Sequence, residues 1–165
     1  MLGEMRDQET IAAAVKAAET GHLVISSLHT IDASQTVERI IDSFPSEAQP
    51  QIRSMLASTL TAAISLRLLH KKGGQGRVPA VEVLRATPTV RSQIREQKIS
   101  QLRQTMESGH LQYNMQTFDQ SLLQLYQKDL ITMEDALMEA TSPSELRLAL
   151  DGMISSGASI IEKKK

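Results

Sequence analysis

The sequence predicts an α/β fold that gives way to a small helical subdomain, and three observations carry that expectation. Residues 7–20, DQETIAAAVKAAET, form a helix pattern followed at once by a short apolar run, HLVISSL at residues 22–28, which is too brief for a core helix and reads as a buried strand. Beyond Pro88 the apolar residues recur only at helical spacing. Two Phe, two Tyr and no Trp leave packing to Leu, Ile, Val, Met and Ala, which suits helices and argues against a stand-alone β-sandwich.

In chain order, Asp7 is a natural N-cap for the first helix, the alanines favour it, and Gly21 suits the position just past its end. Residues 33–44 place Val37, Ile40, Ile41 and Phe44 on one face of a helix that Pro45 ends. After the turn at residues 46–50, Ile52, Met55, Leu56, Leu60 and Ile64 repeat the spacing and predict another helix. Residues 65–70 and 78–84 read as two strands joined by the glycine-rich loop KKGGQG, a hairpin at a sheet edge. Helices then follow around Val90 and Ile94, around Ile99, Leu102 and Met106, around Phe118, Leu122 and Leu125, and around Leu146, Leu150, Met153 and Ile154. The expected division is 1–86 with α/β character, 87–154 helical, and 155–165 a disordered tail. No repeat or low-complexity tract interrupts this.

With 165 residues, 41% hydrophobic and 22% charged, the chain can bury a core. The 18 basic and 19 acidic residues nearly cancel, and aromatic rings are too few for base stacking, so no nucleic-acid partner is expected. The lack of cysteine removes disulfide frameworks, thiol catalysis and Cys-based zinc modules. No apolar run approaches the ~20 residues of a membrane span, and no signal peptide precedes the first helix. A charged motif of the kind set at the exit of a buried strand stands at the very start, which suggests a chain that begins within a larger domain.

That motif, Gly3-Glu4-Met5-Arg6-Asp7, puts two carboxylates and a guanidinium between a strand and a helix, where α/β proteins place ligands. Glu4 there can hold a water near a bound phosphate; alternatively Asp7 caps and Glu4 with Arg6 is a surface pair. His22 and His29 bracket the apolar run. Seven steps of ~3.3 Å set them roughly 23 Å apart and the odd offset turns them to opposite faces, so they do not ligate one ion. His29, with Thr30 beside it, stands at the strand end that meets phosphate in such folds; a hydrogen-bonded surface histidine is the plainer alternative. The basic residues Arg67, His70, Lys71, Lys72 and Arg77 read as a solvated hairpin tip. Arg91, Arg95 and Lys98 recur at i, i+4, i+7 beside Val90 and Ile94, forming either a partner contact or a solvated stripe. Met115-Gln116-Thr117 reads as capping and core ahead of the Phe118 helix.

Taken together, GEMRDQET, TGHLVISSLHT, ERIIDSFP, TVRSQIRE and MQTFDQSL, in this order and spacing, resemble the pilus retraction ATPases of the PilT and PilU family, within the type II/type IV secretion ATPases, from Leu2 to about Leu150. The resemblance implies an α/β fold consisting of the C-terminal part of a RecA-like P-loop NTPase core (1–86) and a small helical subdomain (87–154). It implies that GEMRD is the Walker B segment, with Glu4 polarising the attacking water and acting on the metal indirectly, through the magnesium shell. TGHLVISSLHT resembles the His box, with His29 sensing the γ-phosphate and His22, Arg6 and Thr30 in nucleotide-binding or sensing roles. TVRSQIRE stands where these ATPases carry a helix written AIRNLIRE: Arg91, Ile94, Arg95 and Glu96 match, and are implied to transmit force to a partner, while Thr89, Val90, Ser92 and Gln93 depart, and Gln93 thins the apolar seam.

The implied cofactor is ATP with magnesium, the implied assembly a homo-hexameric ring, and the implied partner an inner-membrane pilus platform protein, with the motor cytoplasmic and peripheral at that membrane. No GxxxxGK[ST] occurs in the sequence, and Gly73-Gly74-Gln75-Gly76 lacks the Lys and hydroxyl of a phosphate loop. Two functions follow: part of a retraction motor that couples ATP hydrolysis to pilus disassembly, inactive without a phosphate loop, or a non-catalytic assembly module of the same fold.

Overall fold

The computed structural model describes residues 1–162, with side chains described through residue 152. The tail expected from residue 155 therefore lies outside the described side chains, and residues 163–165 lie outside the description. The elements run α1 (Gln8–Glu19), α2 (Ala33–Asp42), α3 (Gln49–Thr59), β1 (Ala62–His70), β2 (Arg77–Arg85), α4 (Pro88–Arg95), a 3-10 turn at Ile99–Gln101, α5 (Leu102–Ser108), α6 (His110–Tyr113), α7 (Phe118–Gln127), α8 (Met133–Glu139) and α9 (Pro143–Glu162).

The chain forms two compact units, one of residues 1–65 and 82–116, the other of residues 66–81 and 117–165. This division differs from the boundary expected near Ala86, and the cores give the reason. In the first unit Ile11, Val37, Ile40, Ile41 and Leu56 pack with Val90, Ile94, Leu102, Met106 and Met115, so α4 and α5 belong with α1–α3. In the second, Leu69, Val78 and Ala80 from the tip half of the hairpin pack with Phe118, Leu122, Leu125, Ile131, Leu146 and Leu150.

Asp7 caps α1 as its side chain accepts from Thr10 N at 2.8 Å, and Gly21 follows the helix with φ +91°. The α2 start is held by two carboxylates. Asp32 accepts from Gln35 N at 2.7 Å, and Glu82 of β2, only 4% exposed, accepts from Ala33 N at 2.7 Å. Thr117 and Gln120 form a reciprocal capping box at α7, with Phe118 buried behind it, which matches the capping-and-core expectation.

Two local expectations fail. The helix predicted through Ile64 ends at Thr59, and Ile64 instead lies on the outer face of β1, 69% exposed. The run at 22–28 is extended, yet it forms only one parallel bridge, Ser27 with Glu4, and Leu23 and Ile25 are 79% and 58% exposed. A buried strand needs neighbours on both edges and both faces, and the described residues supply one short edge partner. The basic hairpin tip is also less free than expected: Lys72 pairs with Asp129 at 2.5 Å, while Arg67 stacks over the Phe118 ring at 4.1 Å and donates to the Glu139 carbonyl.

Candidate active site

The short parallel pairing builds the site. Leu2 N donates to Ile25 O and Met5 N to Ser27 O, both at 3.0 Å, and the Ser27 hydroxyl donates to Gly3 O at 2.7 Å. Parallel segments exit on the same side, so Glu4 and Arg6, leaving one, arrive beside His29 and Thr30, leaving the other. Glu4 becomes the centre of a three-residue cluster. Arg6 Nε and Nη2 each lie 2.7 Å from Glu4 Oε2, and His29 Nε2 lies 2.9 Å from Glu4 Oε1.

The Arg6 hydrogen bond holds the Glu4 carboxyl below its ordinary value; burial opposes it, and the charges of Arg6, His29 and Arg39 act in the same direction as the bond. The same contact pushes the Arg6 guanidinium up. Hydrogen bonds from the Thr10 backbone and hydroxyl hold the Asp7 carboxyl down, which fits a cap and not a proton carrier. Glu4 is thus an ionised, doubly engaged carboxylate at neutral pH. It is a weak base, suited to orient a water through its charge and lone pairs more than to take its proton outright.

Beside the cluster lies an open cleft of about 400 Å³ lined by Arg6, His29, Thr30 and, from α2 and its end, Gln35, Glu38, Arg39, Asp42 and Ser43. The Thr30 hydroxyl is 2.7 Å from that of Thr36, so it is tied to α2. Sequence reasoning does not single out the α2 residues of this wall, though a signal for them exists. Val37, Ile40 and Ile41 mark the buried face, and Glu38, Arg39 and Asp42 are what the same helix turns outward.

His22 is not brought into this cluster: its Nδ1 lies 3.0 Å from the Thr20 hydroxyl and 3.2 Å from Ala17 O, at the end of α1. Among the described residues no three His, Cys, Asp or Glu side chains gather as a metal-binding group. Glu4 is the one carboxylate of this three-residue cluster, and a magnesium ion held by one carboxylate takes its remaining ligands from water and phosphate oxygens.

The residues expected to transmit force are divided by the structure. Ile94 is fully buried and belongs to the first unit's core, so it presents nothing to a partner. Arg91 turns inward on the same unit, its Nη1 donating to Ala57 O at 2.5 Å and Ser58 O at 2.7 Å, where it satisfies the last carbonyls of α3. Glu96 accepts from Ser92 at 2.6 Å and Lys98 at 2.7 Å, contacts that lower its carboxyl, with Lys98 the larger cause. Arg95 is exposed and, among the described residues, bonds back to Arg91 O at 3.3 Å. Gln93 does not leave a gap: its amide exchanges hydrogen bonds with the Thr105 hydroxyl at 2.8 and 3.1 Å, a polar clasp between α4 and α5.

The geometry can be set beside known proteins. Over 146 residues the chain is 47% identical to a twitching motility protein of Neisseria gonorrhoeae, covering 88% of this chain and 39% of that protein. It is 46% identical over 143 residues to the type IV pilus retraction ATPase PilT of Pseudomonas aeruginosa, covering 87% and 41%. The crystal structure of the pilus retraction motor PilT with bound ADP superposes with a TM-score of 0.78 at 46% identity, covering 88% of this chain and 40% of that one, so the fold is that of the RecA-like secretion ATPases. The chain spans about two fifths of the length of the relatives it matches. Residues 1–163 match the Type II/IV secretion system protein family, and the chain belongs to that family.

Proposed function

We propose that this chain forms the water-activating side of the nucleotide site in a pilus-retraction-type motor ATPase, whose hydrolysis of ATP drives pilus disassembly. One observation carries the reading: Glu4 of the GEMRD segment and His29 of the TGHLVISSLHT segment stand 2.9 Å apart beside an open cleft. Its support is the likeness to proteins named as retraction motors, one of them crystallised with ADP. Glu4 orients the attacking water, Arg6 keeps Glu4 ionised, and His29, anchored on the free side of Glu4, reports whether a terminal phosphate is present. Thr30 lines the same cleft, and His22 acts from the end of α1. Magnesium is held mainly by the phosphates, and Glu4 reaches it through water.

The phosphate loop comes from outside these residues, so the 165-residue chain alone turns ATP over negligibly. In the working motor the subunits form a homo-hexameric ring at the cytoplasmic side of the inner membrane, against a pilus platform protein. No helix among the described residues is long and apolar enough to cross a membrane. Arg95 and Glu96 are the exposed charged residues of the TVRSQIRE segment, and through them force reaches a partner.

The test completes the chain with the phosphate-loop part of a PilT-type relative and measures phosphate release. Glu4→Gln should cut hydrolysis by about 100-fold or more while nucleotide binding persists. An unchanged rate would refute the role of Glu4, and a completed ring without any hydrolysis would favour the assembly-module reading.

A further inference from the structure

Arg6 and Arg39 both line the cleft, and their situations are opposite. Arg6 spends two donors on Glu4 Oε2, so its charge is already answered by a carboxylate. Arg39 is exposed, and its side chain has no ion pair or hydrogen bond among the described residues. Its backbone is nevertheless fixed in place from below. Its backbone carbonyl accepts from the Ser43 amide and hydroxyl, and the neighbours Ile40 and Ile41 are anchored in the core. It also stands near enough to Glu4 for its charge to be felt there.

We propose that Arg39 is the group by which this cleft binds a phosphate oxyanion, with Arg6 serving Glu4 instead. The inference rests on the nucleotide-site reading above and deepens it. A guanidinium offers a planar fork of donors that matches two phosphate oxygens, and an unpaired one has no existing bond to break before it engages. The acids Glu38 and Asp42 lie on the same wall. They cancel much of the long-range field, so recognition depends on direct contact with Arg39 and not on a general basic surface. Gln35 on the same wall adds an uncharged amide donor, whereas the Ser43 hydroxyl is already spent on the Arg39 carbonyl.

The experiment is a nuclear magnetic resonance titration of the 165-residue chain with inorganic phosphate, and separately with magnesium-ATP, following the arginine side-chain Nε–H signals. Phosphate should move the Arg39 signal and leave that of Arg6 nearly still. Arg39→Gln should weaken phosphate binding about tenfold or more, and Arg39→Lys should recover part of it. If magnesium-ATP displaces phosphate from Arg39, the oxyanion comes from nucleotide; if it does not, the site takes the free product phosphate. Movement of Arg6 in place of Arg39, unaltered binding in Arg39→Gln, or no phosphate binding by the folded chain would each overturn the proposal. An acidic partner chain is then the better occupant of Arg39. None of these results touches the dependence of hydrolysis on Glu4, so the two readings fail separately.

Discussion

The Glu4–His29 cluster and the α4 helix both carry conspicuous charge in the sequence, yet the structure uses that charge in opposite ways. At the cluster, His29 is 81% and Arg6 74% exposed around a Glu4 side chain that is 21% exposed, and a short parallel pairing brings the two segments together. At α4, Arg91 is turned into the protein to cap α3, and Val90 and Ile94 are fully buried. Exposure separates the residues that can meet a ligand from those that hold the fold. Substitutions at α4 should therefore move stability, and substitutions at the cluster should move binding and turnover at nearly constant stability.

The largest stability effect is expected at Ile94. It is fully buried among Leu56, Val90, Leu102 and Met106 in one core, so Ile94→Ala leaves a cavity and should cost about 2–5 kcal/mol in urea unfolding. A cost below about 1 kcal/mol would mean that α4 is an adaptable surface helix after all, and the contrast between the two regions would fail.

Arg91 comes next. Arg91→Ala removes two charge-assisted hydrogen bonds to Ala57 O and Ser58 O and leaves those carbonyls at the end of α3 without the partner they have now. The expected loss is about 1–3 kcal/mol, whereas Arg95→Ala, which gives up one weak contact to Arg91 O, should stay within about 0.5 kcal/mol. Equal losses at both positions would erase the distinction between a cap and a solvated charge.

Much of this contrast is legible in the sequence, and the parts that are not share a cause. Asp7 as a cap, the α2 stripe, the hairpin and the capped Phe118 helix are local patterns, and each forms where expected. Glu4 and His29 can be named as candidates from their motifs, but their contact depends on which segment pairs with which, and that is a non-local fact. The same limit hides the inward turn of Arg91, whose acceptors lie on α3, and Glu82, whose acceptor role at Ala33 N spans two elements. Arg39 escapes notice for a different reason: an outward-facing arginine on an amphipathic helix looks like ordinary solvated charge until the neighbouring cleft is seen. The apolar run at 22–28 misleads because hydrophobicity reports what a segment prefers, and burial depends on neighbours that the described residues do not provide.

His29 tests the other side of the comparison. Its side chain is 81% exposed and its Nε2 meets Glu4 Oε1 at 2.9 Å, so His29→Ala should change unfolding stability by less than about 0.5 kcal/mol. In the completed motor it should slow hydrolysis, though less than Glu4→Gln does. A large loss of stability would mean that the cluster is a fold-forming contact, and the separation of the two regions would collapse.

The smallest effect is the most specific to the electrostatics of the cluster. Because the Arg6 contact depresses the folded-state pKa of Glu4, the pair contributes stability that is fully present above the ordinary carboxylate value of 4.5 and is lost as pH falls through the depressed folded value. Arg6→Ala removes the leading cause of that depression. The Glu4 carboxyl, followed by its side-chain carbon resonance, should then titrate at higher pH than in the parent chain, and the acid-side fall in stability that belongs to this pair should shrink. Arg6 is largely in contact with solvent and Glu4 only partly, 74% against 21%, so solvent still screens the pair, and the change in stability should be slight and weaker in high salt. A Glu4 titration that does not move in Arg6→Ala would assign the depression to His29 and Arg39 instead. Arg6 would then be a bystander to the ionisation of Glu4.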